Sequence, residues 1–160
     1  MRLNLGSGNV LKEGFQNLDA IFGHRLPDHL RTLQTASVDL VFSEHFIEHL
    51  EWGDAVALMR ECRRILRPEG VLRFSCPDVR VLIDRYLKGE IREYGGAWLP
   101  DTPCAMLNEG QRLWGHLYMY DRDEILRLAQ MGGFTRAAAV AQHAECDRYN
   151  FGDLYLEAKP

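Results

Sequence analysis

In Leu3-Asn4-Leu5-Gly6-Ser7-Gly8-Asn9 a short apolar strand runs straight into a Gly-x-Gly turn. A second apolar run, Phe15-Gln16-Asn17-Leu18, follows and closes on Asp19. Paired glycines let the backbone come close to a ligand, because no Cβ stands in the way. A carboxylate at the tip of the next strand can accept hydrogen bonds from the two hydroxyls of a ribose. Together they predict a nucleoside-binding crevice at the carboxyl edge of a parallel sheet. The spacing narrows the ligand. A dinucleotide fingerprint wants a third glycine three residues after the second, and its acidic residue roughly 20 residues further on. Here the third position is Leu11, and Asp19 follows Gly8 by only eleven residues. A nicotinamide or flavin dinucleotide is therefore not expected, and Lys12-Glu13-Gly14 reads as a loop rather than a crossover helix.

Outward from this turn, the apolar pattern alternates between strand and helix. Ser37-Val38-Asp39-Leu40-Val41-Phe42-Ser43 has the length and apolarity of a strand buried on both faces. From Trp52 to Arg67 the apolar residues Ala55, Leu58, Met59, Cys62, Ile65 and Leu66 recur at helical spacing. Pro68-Glu69-Gly70 is expected to end that helix, and Val71 to Ser75 to form the next strand. Asp121 is placed to cap a second helix, with Glu124 completing a reciprocal capping pair. That helix should bury Ile125, Leu126, Leu128 and Ala129 and stop at Gly132-Gly133. Thr135 to Gln142 and Phe151 to Ala158 read as a closing antiparallel pair. The sum is one α/β domain with an open, mostly parallel sheet and helices on both faces.

Composition excludes several classes of function. A chain of 160 residues suits one compact domain. Its 46% hydrophobic and 26% charged residues are those of a soluble globular protein. With a net charge of −4 and scattered arginines, it shows no basic face for nucleic acid. No run approaches the ~20 apolar residues of a membrane span, and no signal peptide is expected ahead of Leu3. Cys62, Cys76, Cys104 and Cys146 lack metal-ligand or disulfide-framework spacing, which suggests reduced thiols in the cytoplasm. One stretch breaks the strand–helix rhythm. Gly89 to Tyr118 mixes Gly95-Gly96, Pro100, Pro103 and Gly110 with Tyr94, Trp98, Met106 and Trp114. Disordered segments are poor in aromatics, so this stretch reads as an ordered lid or substrate loop, or as an insertion covering a helix.

Ser43-Glu44-His45-Phe46-Ile47-Glu48-His49-Leu50 follows the central strand directly. Glu61-Cys62-Arg63-Arg64-Ile65-Leu66-Arg67-Pro68-Glu69-Gly70 comes next, and Leu72-Arg73-Phe74-Ser75-Cys76-Pro77-Asp78 follows. With the glycine turn, Asp19, Gly132-Gly133-Phe134 and Leu154 to Lys159 in order, the chain resembles the class I S-adenosylmethionine-dependent methyltransferases. The likeness is to the small bacterial branch with a His-x-x-Glu-His-Leu segment after the fourth strand. The resemblance implies a doubly wound, Rossmann-like sheet with a terminal hairpin, here shortened at the N-terminus. It implies S-adenosylmethionine as cofactor, with Leu5, Gly6, Ser7 and Gly8 along its methionine part and Asp19 on its ribose. Glu44 and His45 would lie beside the sulfonium and the sugar edge. His45, His116 and Asp78 are the candidates for a general base, should the acceptor carry a proton. The implied partner is a small-molecule acceptor, with a glycan precursor suggested because relatives of this branch often sit near surface-polysaccharide pathways. A terminal hairpin and an aromatic loop are compatible with a homodimer. Three features depart from the family pattern. Asn4 replaces an acidic residue, Phe22 to Thr35 shows no clean third strand (Asp28 is the nearest acidic substitute), and the usual helix before the first strand is not expected.

Two other readings begin from the same residues. His45-Phe46-Ile47-Glu48-His49 matches the His-x-x-Glu-His pattern of inverted zinc peptidases. On a helix both imidazoles would share a face, with Glu48 as general base. Such enzymes need a third ligand and a larger scaffold, so no metal is expected. Alternatively the departures describe an inactive domain of the same fold that binds a partner.

Overall fold

The computed structural model describes residues 1–91, 100–146 and 152–160. Tyr94, Gly95-Gly96 and Trp98 of the long stretch lie outside the described residues. Parallel pairing joins β1 (Arg2–Leu5) to β2 (Gln16–Leu18) on one side and to β3 (Val38–Glu44) on the other. β3 is followed by α1 (Trp52–Ile65), and β4 (Leu66–Pro77) returns parallel to β3. Then come α2 (Val79–Lys88), α3 (Pro103–Arg112), α4 (Arg122–Met131), β5 (Arg136–Val140) and β6 (Asp153–Lys159). β6 pairs antiparallel with both β4 and β5, giving the sheet order β2-β1-β3-β4-β6-β5. The expected mostly parallel α/β sheet with a terminal antiparallel pair is what forms.

Burial follows the apolar pattern. Leu3 and Leu5 of β1, Val41 and Phe42 of β3, and Leu72 and Phe74 of β4 are fully enclosed. α1 adds Ala55, Leu58, Met59, Cys62 and Ile65, and α4 adds Ile125, Leu128 and Ala129, while Leu126 is half-buried. All four cysteines are free, as their spacing suggested. Between β2 and β3 the chain makes 3₁₀ turns over Ala20–Phe22 and Asp28–Thr32 and no strand.

Four expectations need correction. First, α1 stops at Ile65, before the breakers, and Pro68-Glu69-Gly70 lies in an irregular start of β4. There the register jumps from Val38 opposite Leu66 to Leu40 opposite Val71. Second, Asp121 caps α4 by accepting from the Glu124 N–H at 2.9 Å. The Glu124 carboxylate instead accepts from the Tyr118 hydroxyl at 2.6 Å and pairs with Arg127, so the cap is not reciprocal. Third, α2 was not anticipated, and Asp78 is its N-cap, accepting from the Arg80 N–H at 2.9 Å. Fourth, the stretch from Gly89 to Tyr118 contains a helix of its own. α3 starts at Pro103 behind a Thr102 hydroxyl that accepts from the Ala105 N–H, and it packs on α2 around Met106 and Leu82.

Candidate functional site

The parallel register sends the ends of β1, β2, β3 and β4 to one edge of the sheet. Antiparallel β6 brings its first residue, Asp153, to the same edge, opposite Pro77. The glycine turn, Asp19, the His45–His49 segment and Asp78 therefore all gather where ligands of open α/β sheets bind.

The two glycines have different uses. Both hold positive φ, 62° at Gly6 and 50° at Gly8. A Cβ on Gly6 would fall 2.2 Å from the Phe46 ring, so Gly6 makes room for the segment after β3. A Cβ on Gly8 would meet nothing within 4 Å, so this is the open position of the turn. Asp19 Oδ2 accepts from the Gly8 N–H at 2.9 Å, and Oδ1 from the Ile21 N–H at 3.0 Å. Each carboxylate oxygen has a further lone pair, which leaves capacity for a hydroxylated ligand. Leu5 is fully buried and can offer a ligand only its backbone, and its carbonyl already accepts from the Ser43 hydroxyl at 3.0 Å. Ser7 is also buried. Asn4 explains how β1 and β2 connect without a helix. Its amide donates to Asn17 Oδ1 at 2.8 Å, and Asn17 in turn accepts from the Lys12 N–H at 2.9 Å, pinning the loop.

Beyond β3, Glu44 is buried at the strand end and His45 takes a positive φ of 53°. The Ile47–His49 segment is a 3₁₀ turn, so His45 and His49 do not share a helix face as the zinc-peptidase reading requires. His45 Nε2 lies 3.0 Å from Asp153 Oδ2, and Nδ1 lies 3.3 Å from Glu48 Oε1. Burial opposes the charged imidazole, but the two carboxylates outweigh it and push its pKa up to about 10. A histidine held this way is a cation at neutral pH and has no lone pair for a proton. His116 differs. Burial draws its pKa down, so it stays neutral, with Nε2 4.0 Å from Glu48 Oε1. Hydrogen bonds from the Leu117 and Tyr118 N–H groups to the Glu48 carbonyl, at 2.8 and 3.1 Å, hold His116 there. Asp78 is occupied as a helix cap, and burial raises its pKa.

Sequence reasoning named Asp19, Glu44, His45 and His116 but missed Asp153, which reaches His45 only through antiparallel pairing. It also passed over Phe46, whose ring fills the space that Gly6 leaves. A broad hollow among Thr35, Arg63, Gly132 and Arg136 lies at the opposite edge, where β3 and β4 begin.

Comparison with known proteins fits this geometry. Residues 15–74 match the model of a methyltransferase domain. Among solved structures, the fold is similar to a SAM-dependent methyltransferase from Archaeoglobus fulgidus. That match has TM-score 0.62 and 13% identity, covering 99% of this chain and 85% of the other. It is also similar to a Thermotoga maritima SAM-dependent methyltransferase described as a possible histamine N-methyltransferase. There the TM-score is 0.50 and identity 18%, over 91% of this chain and 62% of the other. A third likeness is to DhpI in complex with S-adenosylhomocysteine, with TM-score 0.55 and 18% identity, over 99% of this chain and 76% of that one. A search of curated proteins by sequence gives no match. The chain has the class I S-adenosylmethionine-dependent methyltransferase fold.

Proposed function

We propose that this chain is a cytoplasmic S-adenosylmethionine-dependent methyltransferase acting on a small-molecule or sugar-containing acceptor. The observation that carries the reading is the hydrogen bond between Gly8 and Asp19 across the tips of two adjacent parallel strands. It sets an open glycine position beside a carboxylate with spare lone pairs, which fits the adenosyl and methionine parts of the cofactor. When bound, the cofactor supplies a methyl group already activated by positive sulfur, which an acceptor oxygen, nitrogen or carbon can attack in line.

The chain's own work is then mostly placement, which can contribute on the order of 7–11 kcal/mol. Asp19 would orient the ribose, the turn from Leu5 to Gly8 would line the methionine end, and Glu44 would border the sugar edge. His45 acts here as a fixed cation that holds the segment after β3 against β6, and we do not assign it proton removal. His116, neutral and facing Glu48, keeps a lone pair for the acceptor's proton. The stretch containing α3 is the proposed cover over the acceptor. Four unpaired cysteines suit a reducing compartment.

Isothermal titration with S-adenosylmethionine and S-adenosylhomocysteine tests this reading. Both should bind, and Asp19→Ala should weaken binding by roughly 1.5–3 kcal/mol through lost charge-assisted hydrogen bonds. No heat from either ligand would leave a domain of this fold that serves as an interaction module.

A further inference from the structure

Glu48 faces the His45 imidazolium on one side only. It is 2% exposed, and neither carboxylate oxygen accepts a hydrogen bond. A carboxylate taken out of water needs a compensating partner. His45 supplies part of it at 3.3 Å but is shared with Asp153. On the other side stand two imidazoles. The His49 and His116 rings pack edge to face with centroids 4.9 Å apart. One donor atom from each of Glu48, His49 and His116 lies within 4.8 Å of the other two.

The nitrogens are also set for coordination. His49 Nδ1 lies 3.3 Å from the Gly115 carbonyl, and donating there leaves Nε2 with its lone pair. A backbone acceptor of this kind fixes the tautomer and aim of a metal-binding histidine. His116 Nε2 lies 4.0 Å from Glu48 Oε1. Two imidazoles and one carboxylate suit a first-row transition metal better than magnesium or calcium, which prefer all-oxygen sites. Ligands ~2.0–2.1 Å from zinc stand roughly 3.3–3.4 Å apart at tetrahedral angles, so closure needs side-chain shifts on the order of 1–2 Å.

We propose that Glu48, His49 and His116 bind one divalent first-row transition-metal ion, leaving a coordination position for an oxygen of the acceptor. The ion site rests on the three side chains alone, and the acceptor's place on it rests on the methyltransferase reading. This is not the zinc-peptidase arrangement. His45 is not a ligand, and Glu48 becomes a ligand rather than a base. Glu48 can turn one oxygen to the ion and keep the other on His45, linking the two. A bound ion takes the His116 lone pair and itself draws the proton-bearing oxygen towards its anionic form, the proton leaving to solvent.

The test uses untagged chain, stripped with chelator, titrated with Zn²⁺ by calorimetry and with Co²⁺ by visible absorption. One ion per chain should bind, with the visible bands of low-coordinate Co²⁺. His49→Ala and Glu48→Gln should each lose at least about tenfold in affinity. His29→Ala, in the separate His24–His29 pair, should change nothing. Circular dichroism checks each fold, and half-exposed His49 is the substitution least able to disturb it. Failure of the wild-type chain to bind stoichiometrically, or wild-type affinity in both His49→Ala and Glu48→Gln, would overturn the site. Titrating S-adenosylhomocysteine into the same preparation separates the two claims. Metal binding without its heat keeps the site and removes the acceptor role, whereas its heat without metal binding removes the site alone.

Discussion

At His45, Asp153 and Glu48 hold an imidazole in its charged form, and this has a measurable pH signature. Its folded pKa of about 10 lies above the ~6.5 of an unfolded chain. The stability it contributes is complete below about pH 6.5 and is lost as pH rises towards about 10. Denaturant melts should therefore show weakening across that window. His45→Gln should cost ~3–5 kcal/mol at neutral pH, because it leaves two buried carboxylates unpaired, and should flatten the pH slope. An unchanged slope in that variant would place its source elsewhere. The glycine turn gives a second contrast. Gly6→Ala adds a clash with Phe46 to a backbone strain of about 1–3 kcal/mol and should lower Tm markedly. Gly8→Ala meets no neighbour, so it should cost less stability while still weakening S-adenosylhomocysteine binding. Equal losses of Tm in the two variants would contradict these separate uses.

Among the elements, α4 depends on a single side-chain cap. Asp121→Ala should destabilise by roughly 0.5–2 kcal/mol, and because Glu124 bonds Tyr118 and not the cap, Glu124→Gln should act through Tyr118 and Arg127. A double-mutant cycle that finds strong coupling between Asp121 and Glu124 would contradict that separation. The elements legible in the sequence were those whose apolar residues are buried: β3 through Val41 and Phe42, α1 through Leu58 and Met59, α4 through Ile125 and Leu128. α2 is harder to read because its apolar residues are split between the two sides, with Ile83, Tyr86 and Leu87 exposed and only Leu82 buried. α3 is hidden in the sequence because Pro103 stands among the glycines and prolines of an irregular stretch, whereas Pro behind a Thr cap marks a helix start. In the site, Asp19 was visible because it ends an apolar run. Asp153 was not, since its link to His45 spans 108 positions and depends on a strand pairing that no local pattern records.

At the scale of the whole molecule, one topological fact brings the chemistry together. Parallel β1, β2, β3 and β4 deliver the glycine turn, Asp19, His45 and Asp78 to one edge, and antiparallel β6 adds Asp153. β2 stands at the rim of the sheet, so the proposed nucleoside crevice at Asp19 has no further strand beyond it among the described residues. Among those residues no helix is long and apolar enough to cross a membrane. The most direct measurement is a crystal structure of the chain with S-adenosylhomocysteine. The account predicts the ribose hydroxyls on the Asp19 carboxylate and the amino-acid end along Gly6 to Gly8. A nucleoside lodged elsewhere, or that crevice filled by the protein's own side chains under saturating ligand, would contradict it.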